Sequence, residues 1–375
     1  MMEFDIFTFL FIYLIVISVL FHHARDKRLL LTILLCIGPF LLLALRSPYC
    51  GIDLLGNGSS DSGYYHRYVQ ISAMSWWAAF TEKMASFEQG FVVFNKFVSI
   101  FSDIPQFFLA FIALVSFGLI GSVFYKYSDN LFLSIIIYVC LGLYVFSFSG
   151  IRQAIAFSIT FYAFHFVVER RLLYFILAVL IATSMHKSAI VYFFVWPLWN
   201  IKLSGRNSII MLVLLIVAIP FYRTLFSFIV PILFGEKYLK YMNNGSAINL
   251  TLLYISFFLL SFVFKGDCSV YVKSGSLGLV QKKYHIYNFI KWMVFLTIAC
   301  QSLGVIGGDS ITRIAYYFSI YLTLYIPSLI SKLNNKNRLL LSIMFTAIFI
   351  AFFYYDSSKE YYHVVPYYFV WELFV

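Results

Sequence analysis

The chain has 375 residues, of which 62% are hydrophobic and 11% charged, against roughly 45–50% and about 25% in a soluble domain. That balance excludes an ordinary soluble globule and points to an all-α fold, a polytopic integral membrane helix bundle forming a single domain over residues 1–375. The net charge of +11 sits in short turns between apolar runs, where basic residues set membrane orientation, so no nucleic-acid partner is expected.

The first apolar run, 4–21, lacks the positively charged start and small-residue cleavage site of a removable signal, and is expected to stay as the first span. Further runs at 29–45, 106–124, 131–148, 153–168, 172–185, 189–200, 208–222, 250–264, 286–304, 314–330 and 339–355 predict about twelve transmembrane helices in all. Several fall short of the roughly 20 residues that a helix needs to cross unaided. Cys36, Cys50, Cys140, Cys268 and Cys300 show no close spacing, so neither a disulfide framework nor a zinc site is expected.

Sorting alternate loops by charge gives two sets. Arg28, Lys126, Arg170, Arg171, Lys202, Lys332 and Arg338 are packed beside the spans, which predicts a cytoplasmic side. The other set, spread over longer segments, then faces outward together with both termini. Its first member is the loop 46–105, with a Gly/Ser/Asp-rich start from Gly51 to Asp61, then Tyr64 and Tyr65, and a later part from Glu88 apolar enough to lie on or dip into the interface. A second outward loop covers 223–249, a third segment carries Asp309, Ser310 and Arg313, and the tail bears His363, Pro366 and Tyr367. The chain shows no internal repeat, which counts against a transporter built from paired halves.

The stretch from Ser149 to His186 organises the rest. Two apolar runs joined by Glu169-Arg170-Arg171 form a hairpin, so Arg152 and His186 reach the same membrane face. Arg152 and Arg313 stand at span mouths. A lysine would reach water more simply there, whereas the planar fork of arginine suits phosphate oxygens. The plainer reading is that each arginine anchors its helix at the headgroups, a reading weakened for Arg152 because Ser149 can cap the helix that carries it. His186 reads as a base or donor, or as an interfacial hydrogen-bonding residue. Asp53 and Asp61 read as turn formers or as a general base. Tyr64, Tyr65, Tyr316 and Tyr317 are most simply interface anchors.

Arg46, Gly51-Ile52-Asp53, Tyr64-Tyr65 and Glu88-Gln89-Gly90-Phe91 are followed by Ser149-Gly150-Ile151-Arg152-Gln153-Ala154-Ile155-Ala156 and His186-Lys187-Ser188-Ala189. With Arg313, Tyr316-Tyr317-Phe318 and Pro366-Tyr367, this set resembles the EpsG family of Wzy-type polysaccharide polymerases over most of the chain. The family's G-x-D followed closely by Tyr is split here between Asp53 and Asp61, so which aspartate inherits the role stays open. The resemblance implies a glycosyltransferase with a GT-C-like architecture in the bacterial cytoplasmic (inner) membrane, its active face outward (periplasmic). It would join oligosaccharide repeat units carried on undecaprenyl pyrophosphate, for an O-antigen or exopolysaccharide, with a chain-length regulator and a flippase as further partners.

On that scheme Arg152 and Arg313 hold the pyrophosphate with Arg46 assisting, and Asp53, Asp61, Glu88 or His186 takes the acceptor proton. Ser149, Gln153, Tyr65 and Tyr317 support them, and neither metal nor other cofactor is required. An O-antigen ligase would differ only in its acceptor. A flippase for lipid-linked oligosaccharides should line a central cavity with charge, while these charges gather at span ends. An intramembrane serine protease built on Ser149 and His186 would leave Arg152 without a duty, and Ser147 stands where its motif needs glycine.

Overall fold

A computed structural model describes residues 6–21, 27–55, 63–84, 87–204, 206–211, 213–214, 217, 221, 224, 248–263, 277–307, 309–357 and 364–374. Asp61, His363 and nearly all of the expected loop 223–249 lie outside the described residues. Among those described, the secondary structure is helical apart from an isolated antiparallel bridge between Arg46 and Phe369. In chain order the helices are α1 (Ile6–Leu20), α2 (Arg28–Ala44), α3 (Ile52–Leu55), α4 (Tyr64–Ala73), α5 (Trp76–Thr81), α6 (Gln89–Val98), α7 (Pro105–Tyr127), α8 (Leu131–Cys140) and α9 (Leu143–Phe146). They continue with α10 (Ile151–Val168), α11 (Leu172–Met185), a 3₁₀ helix (Lys187–Asn200), α12 (Ile248–Val263), α13 (Leu277–Gly307), α14 (Asp309–Ile314), α15 (Tyr316–Ser319), α16 (Leu322–Ser331) and α17 (Asn335–Ser357).

Four of these segments are long and apolar enough to cross a bilayer: α7, α10, the part of α13 from Tyr284 to Gly304, and α17. The run through α14, α15 and α16 counts as a fifth if its halves, bent by 43°, form one span. Five shorter apolar helices accompany them. The chain is therefore a multi-pass membrane protein, and the described residues hold four or five candidate spans where the sequence led one to expect about twelve, because several of the expected runs form helices too short to qualify. The 3₁₀ helix shows how a short apolar run gains reach. Its 14 residues extend ~28 Å at 2.0 Å each, close to the ~27 Å that the 18 residues of α10 cover at 1.5 Å.

Helix α10 is the centre of the bundle, buried on nearly every side, and two of its hydroxyls turn onto its own carbonyls. Ser158 Oγ donates to Ala154 O at 2.8 Å and Thr160 Oγ1 to Phe157 O at 3.0 Å, which satisfies both in an apolar setting.

The loops gather at the two ends of α10. At one end Arg28 Nε donates to Tyr125 O at 2.7 Å, Lys126 pairs with Glu169 at 3.0 Å, and Ser331 Oγ donates to Asp129 at 3.3 Å. Arg338 caps the C-terminus of α16 through Ser331 O at 2.9 Å. At the other end lie Arg46, Asp53, Tyr64, Glu88, Arg152, His186, Arg313 and the tail 364–370, described next.

Candidate functional site

The frame of this polar end is built from interrupted helices. Gly142, with φ +82°, ends α8 and starts α9, and the chain turns again through 147–150 before α10. Ser149 does not cap α10 as expected. Gly150 holds the cap position without a side-chain bond, and Ser149 Oγ instead accepts the Ile52 N–H at 3.0 Å. Gly51 just before it has φ +128° and lies so close to the Phe148 carbonyl that a Cβ would stand 2.3 Å from its oxygen. Only glycine fits there. Together these contacts fix Asp53 on α3 against the mouth of α10.

Arg46 belongs to the same frame. Its side chain is 2% exposed, and its Nη1 donates to Leu43 O while Nη2 reaches Phe148 O at 3.5 Å. Its guanidinium lies 5.2 Å from the Phe148 ring centroid, and burial draws its pKa down to about 10. The tail crosses the same turn: Ser47 N–H donates to Tyr368 O at 2.8 Å, Val370 N–H to Leu45 O at 3.0 Å, and Tyr367 hydroxyl to Leu42 O at 2.8 Å. Arg46 is thus turned into backbone carbonyls, away from the assisting role expected of it. Tyr65 is likewise structural, donating to Gln106 Oε1, whose amide donates to Ala44 O at 2.5 Å.

The charged centre forms around Arg152. Its Nη1 donates to Glu88 Oε2 at 2.5 Å and its Nε to the Tyr64 hydroxyl at 3.0 Å. The other oxygen of Glu88 accepts the Lys187 N–H at 3.3 Å and lies 3.5 Å from His186 Nδ1, a contact of ion-pair range but too long for a formed hydrogen bond. Close approach of α6 to the end of α11 makes this possible. At Gly90 a Cβ would stand 2.4 Å from Ser184 Cβ, so glycine lets the Glu88 segment reach His186. Burial would raise the pKa of Glu88, but the His186 imidazole, the Arg152 guanidinium and the Lys187 N–H together hold it at about 2. Burial lowers the pKa of His186 while Glu88 opposes the change.

Asp53 and Arg313 complete the group. Asp53 has an exposed side chain, but the packed backbone around α3 still desolvates its carboxyl enough to push its pKa up, against the opposing fields of Arg313 and Arg152. Arg313 is exposed, with its guanidinium 6.0 Å from the Phe146 ring centroid. Gln153 Nε2 donates to Arg313 O at 2.6 Å and so ties α10 to the residue that carries this second guanidinium. Tyr317 is buried and its hydroxyl pairs with Ser188 Oγ at 2.9 Å, locking the start of the 3₁₀ helix to α15. The structure therefore brings together Asp53, Glu88, Arg152, His186 and Arg313, with Gln153 and Tyr317 beside them.

The sequence reading placed Tyr64 among the interface anchors, yet it is the tyrosine that holds Arg152. Phe87 also escaped it, although the Arg152 guanidinium lies 5.1 Å from that ring centroid. The position of Phe87 next to Glu88 was the available signal. Ser149 and His186 share no bond among the described residues, in keeping with the weak case for a serine protease.

No curated protein and no solved structure matches the chain. A protein-family model described as the EpsG family matches residues 55–369, a span that takes in Tyr64, Glu88, Arg152, His186, Arg313 and the bridge residue Phe369. The chain belongs to the EpsG family.

Proposed function

We propose that the chain is a polysaccharide polymerase that joins undecaprenyl-pyrophosphate-linked oligosaccharide repeat units by glycosyl transfer. On this reading the polar end faces outward from the bacterial cytoplasmic membrane, and the shorter helices with the 3₁₀ helix bring the crossings to about twelve in a GT-C-like arrangement. The observation that carries it is that Glu88 joins Arg152 at 2.5 Å and lies 3.5 Å from His186, while Gln153, the residue after Arg152, holds the backbone of Arg313 at 2.6 Å, all at one end of a membrane bundle. Family membership supports the polysaccharide substrate.

The reaction breaks the bond between the donor's anomeric carbon and the diphosphate oxygen, and forms one to the acceptor hydroxyl oxygen. The hydroxyl proton passes to a base and the lipid diphosphate departs with the bonding electrons. Arg313, exposed, and Arg152, held in place by Tyr64 and Glu88, stabilise the charge that develops on the leaving group. Glu88 is a poor base because it is already engaged by Arg152 and Lys187 and held near pKa 2; it serves as the positioning residue for Arg152. Asp53, exposed to an arriving substrate and with its proton affinity raised by partial desolvation, is the better acceptor. His186 orients the acceptor hydroxyl. An O-antigen ligase would use the same chemistry with another acceptor, and a chain-length regulator and a flippase would act beside either.

Turnover of purified lipid-linked repeat by the full chain in nanodiscs tests the proposal. Arg152→Ala is expected to lose about 10²-fold or more in rate, with partial recovery in Arg152→Lys. A correctly inserted Arg152→Ala protein that polymerises at the normal rate would overturn the assignment.

A further inference from the structure

Two guanidinium groups meet on one aromatic ring beside Glu88. The Arg67 Cζ lies 4.8 Å from the centroid of the Phe87 ring and the Arg152 Cζ lies 5.1 Å from the same centroid, both within the ~6 Å over which a ring face attracts a cation. The ring is itself held firmly. Tyr64 stacks on it at 5.3 Å with an interplanar angle of 23°, and Phe91 meets its edge at 5.2 Å and 84°. The two guanidiniums can be no further apart than those two centroid distances laid end to end.

The backbone fixes Arg67 equally well. Its N–H donates to Gly63 O at 3.1 Å in the first turn of α4. Gly63 is pressed against α3 so tightly that a Cβ would stand 2.2 Å from Leu54 O. The turn that carries Arg67 is thereby pinned to the helix that carries Asp53. Two like charges drawn to one ring, and so kept near each other, match a ligand with two adjoining anionic groups.

We propose that Arg67 is a further phosphate-binding residue, gripping with Arg152 the two phosphoryl groups of one diphosphate, and that Phe87, whose ring both guanidiniums approach, is the positioning residue that keeps them together. The inference rests on the reading of the Arg152 cluster as a diphosphate site. A diphosphate presents acceptor oxygens on both phosphorus atoms, so each guanidinium finds its own set. A monophosphate engages only one of them. Arg67 therefore makes the site select a lipid diphosphate over the corresponding monophosphate.

The test measures binding of polyprenyl diphosphate and polyprenyl monophosphate to the full chain in nanodiscs, with inorganic diphosphate as competitor. The wild type is expected to prefer the diphosphate lipid by about tenfold or more, the equivalent of one charge-assisted contact, and inorganic diphosphate should displace it. Arg67→Gln should weaken diphosphate binding until that preference disappears and leave monophosphate binding unchanged, with Arg67→Lys intermediate. Phe87→Leu should reduce the preference and Phe87→Tyr should retain it. Undiminished preference in Arg67→Gln, equal loss of both lipids, or failure of inorganic diphosphate to compete would each overturn the inference. A chain that shows this Arg67-dependent preference but makes no polymer would sink the polymerase reading alone. Polymerisation with an unchanged KM in Arg67→Gln would sink this one alone.

Discussion

Glu88→Gln is the most informative single change, because it removes a charge and almost nothing else. Glu88 is 8% exposed and pairs with an Arg152 side chain that is 21% exposed, so neither charge is well hydrated once its partner is lost. Losing one member of a buried pair costs about 3–5 kcal/mol. The carboxyl's own proton affinity points the same way: despite burial, Arg152 and the Lys187 N–H beside it hold its pKa well below the ordinary 4.5, so the ionised form favours the fold at neutral pH. The sign follows from the direction of the shift. A depressed carboxyl pKa contributes stability that is complete above the unfolded value and is lost as pH falls through the folded one. The stability gap between wild type and Glu88→Gln should therefore be full at pH 7 and shrink between about pH 4.5 and about pH 2. Thermal or denaturant unfolding in detergent across that range measures it. Equal stability of the two proteins at pH 7, or a gap that stays constant through the acid range, would refute the account of Glu88 as the anchor of Arg152.

Asp53→Asn should separate activity from stability. The Asp53 side chain is exposed and solvent screens its charge, so the amide is expected to be close to neutral for stability at pH 7 while the turnover rate falls by about 10²-fold or more. Loss of stability with retained turnover would remove Asp53 from the chemistry. Gly90→Ala places a Cβ against Ser184 and should destabilise by about 1–3 kcal/mol, partly relieved by adding Ser184→Gly; unfolding midpoints of the single and double variants decide it. Arg46→Gln should lower stability by about 1–3 kcal/mol through its lost carbonyl contacts and leave the KM for lipid-linked substrate unchanged. A raised KM at full stability would restore Arg46 to the substrate site.

The central hairpin was legible because a short turn between two apolar runs has a single outcome in a bilayer: Arg152 and His186 must share a face. The sorting of loops was legible for a related reason, since Arg28, Lys126 and Arg338 sit within a turn of span ends. What escaped depends on partners far away in sequence. Neighbouring residues on a helix point about 100° apart, so nothing local decides between Tyr64 and Tyr65, yet one meets Arg152 and the other Gln106. Ser149 precedes a helix and reads as its cap, but its hydroxyl is taken by Ile52, 97 residues earlier. Arg46 reads as an outward cation only until Phe148 O is known to lie beside it.

Two of these misreadings, those of Ser149 and Arg46, share a cause that bears on which polar residues are left for chemistry. An interrupted helix within a membrane bundle exposes backbone groups that hydrocarbon cannot satisfy, so protein side chains must take them. At the break after α9, Arg46 takes Phe148 O and Ser147 Oγ takes Leu143 O at 2.8 Å. Where α14 leads into the bent run, Gln153 takes Arg313 O, and Ser134 Oγ takes Thr323 O at 2.6 Å further along. Polar side chains that look like substrate ligands in the sequence are thereby committed to the backbone. Glu88 and Tyr64 are committed in turn to holding Arg152. Arg313, Asp53 and His186 carry none of these backbone duties, and with the oriented Arg152 they form the set on which a transferred glycan would depend. The broken helices place that set at the N-terminal end of α10.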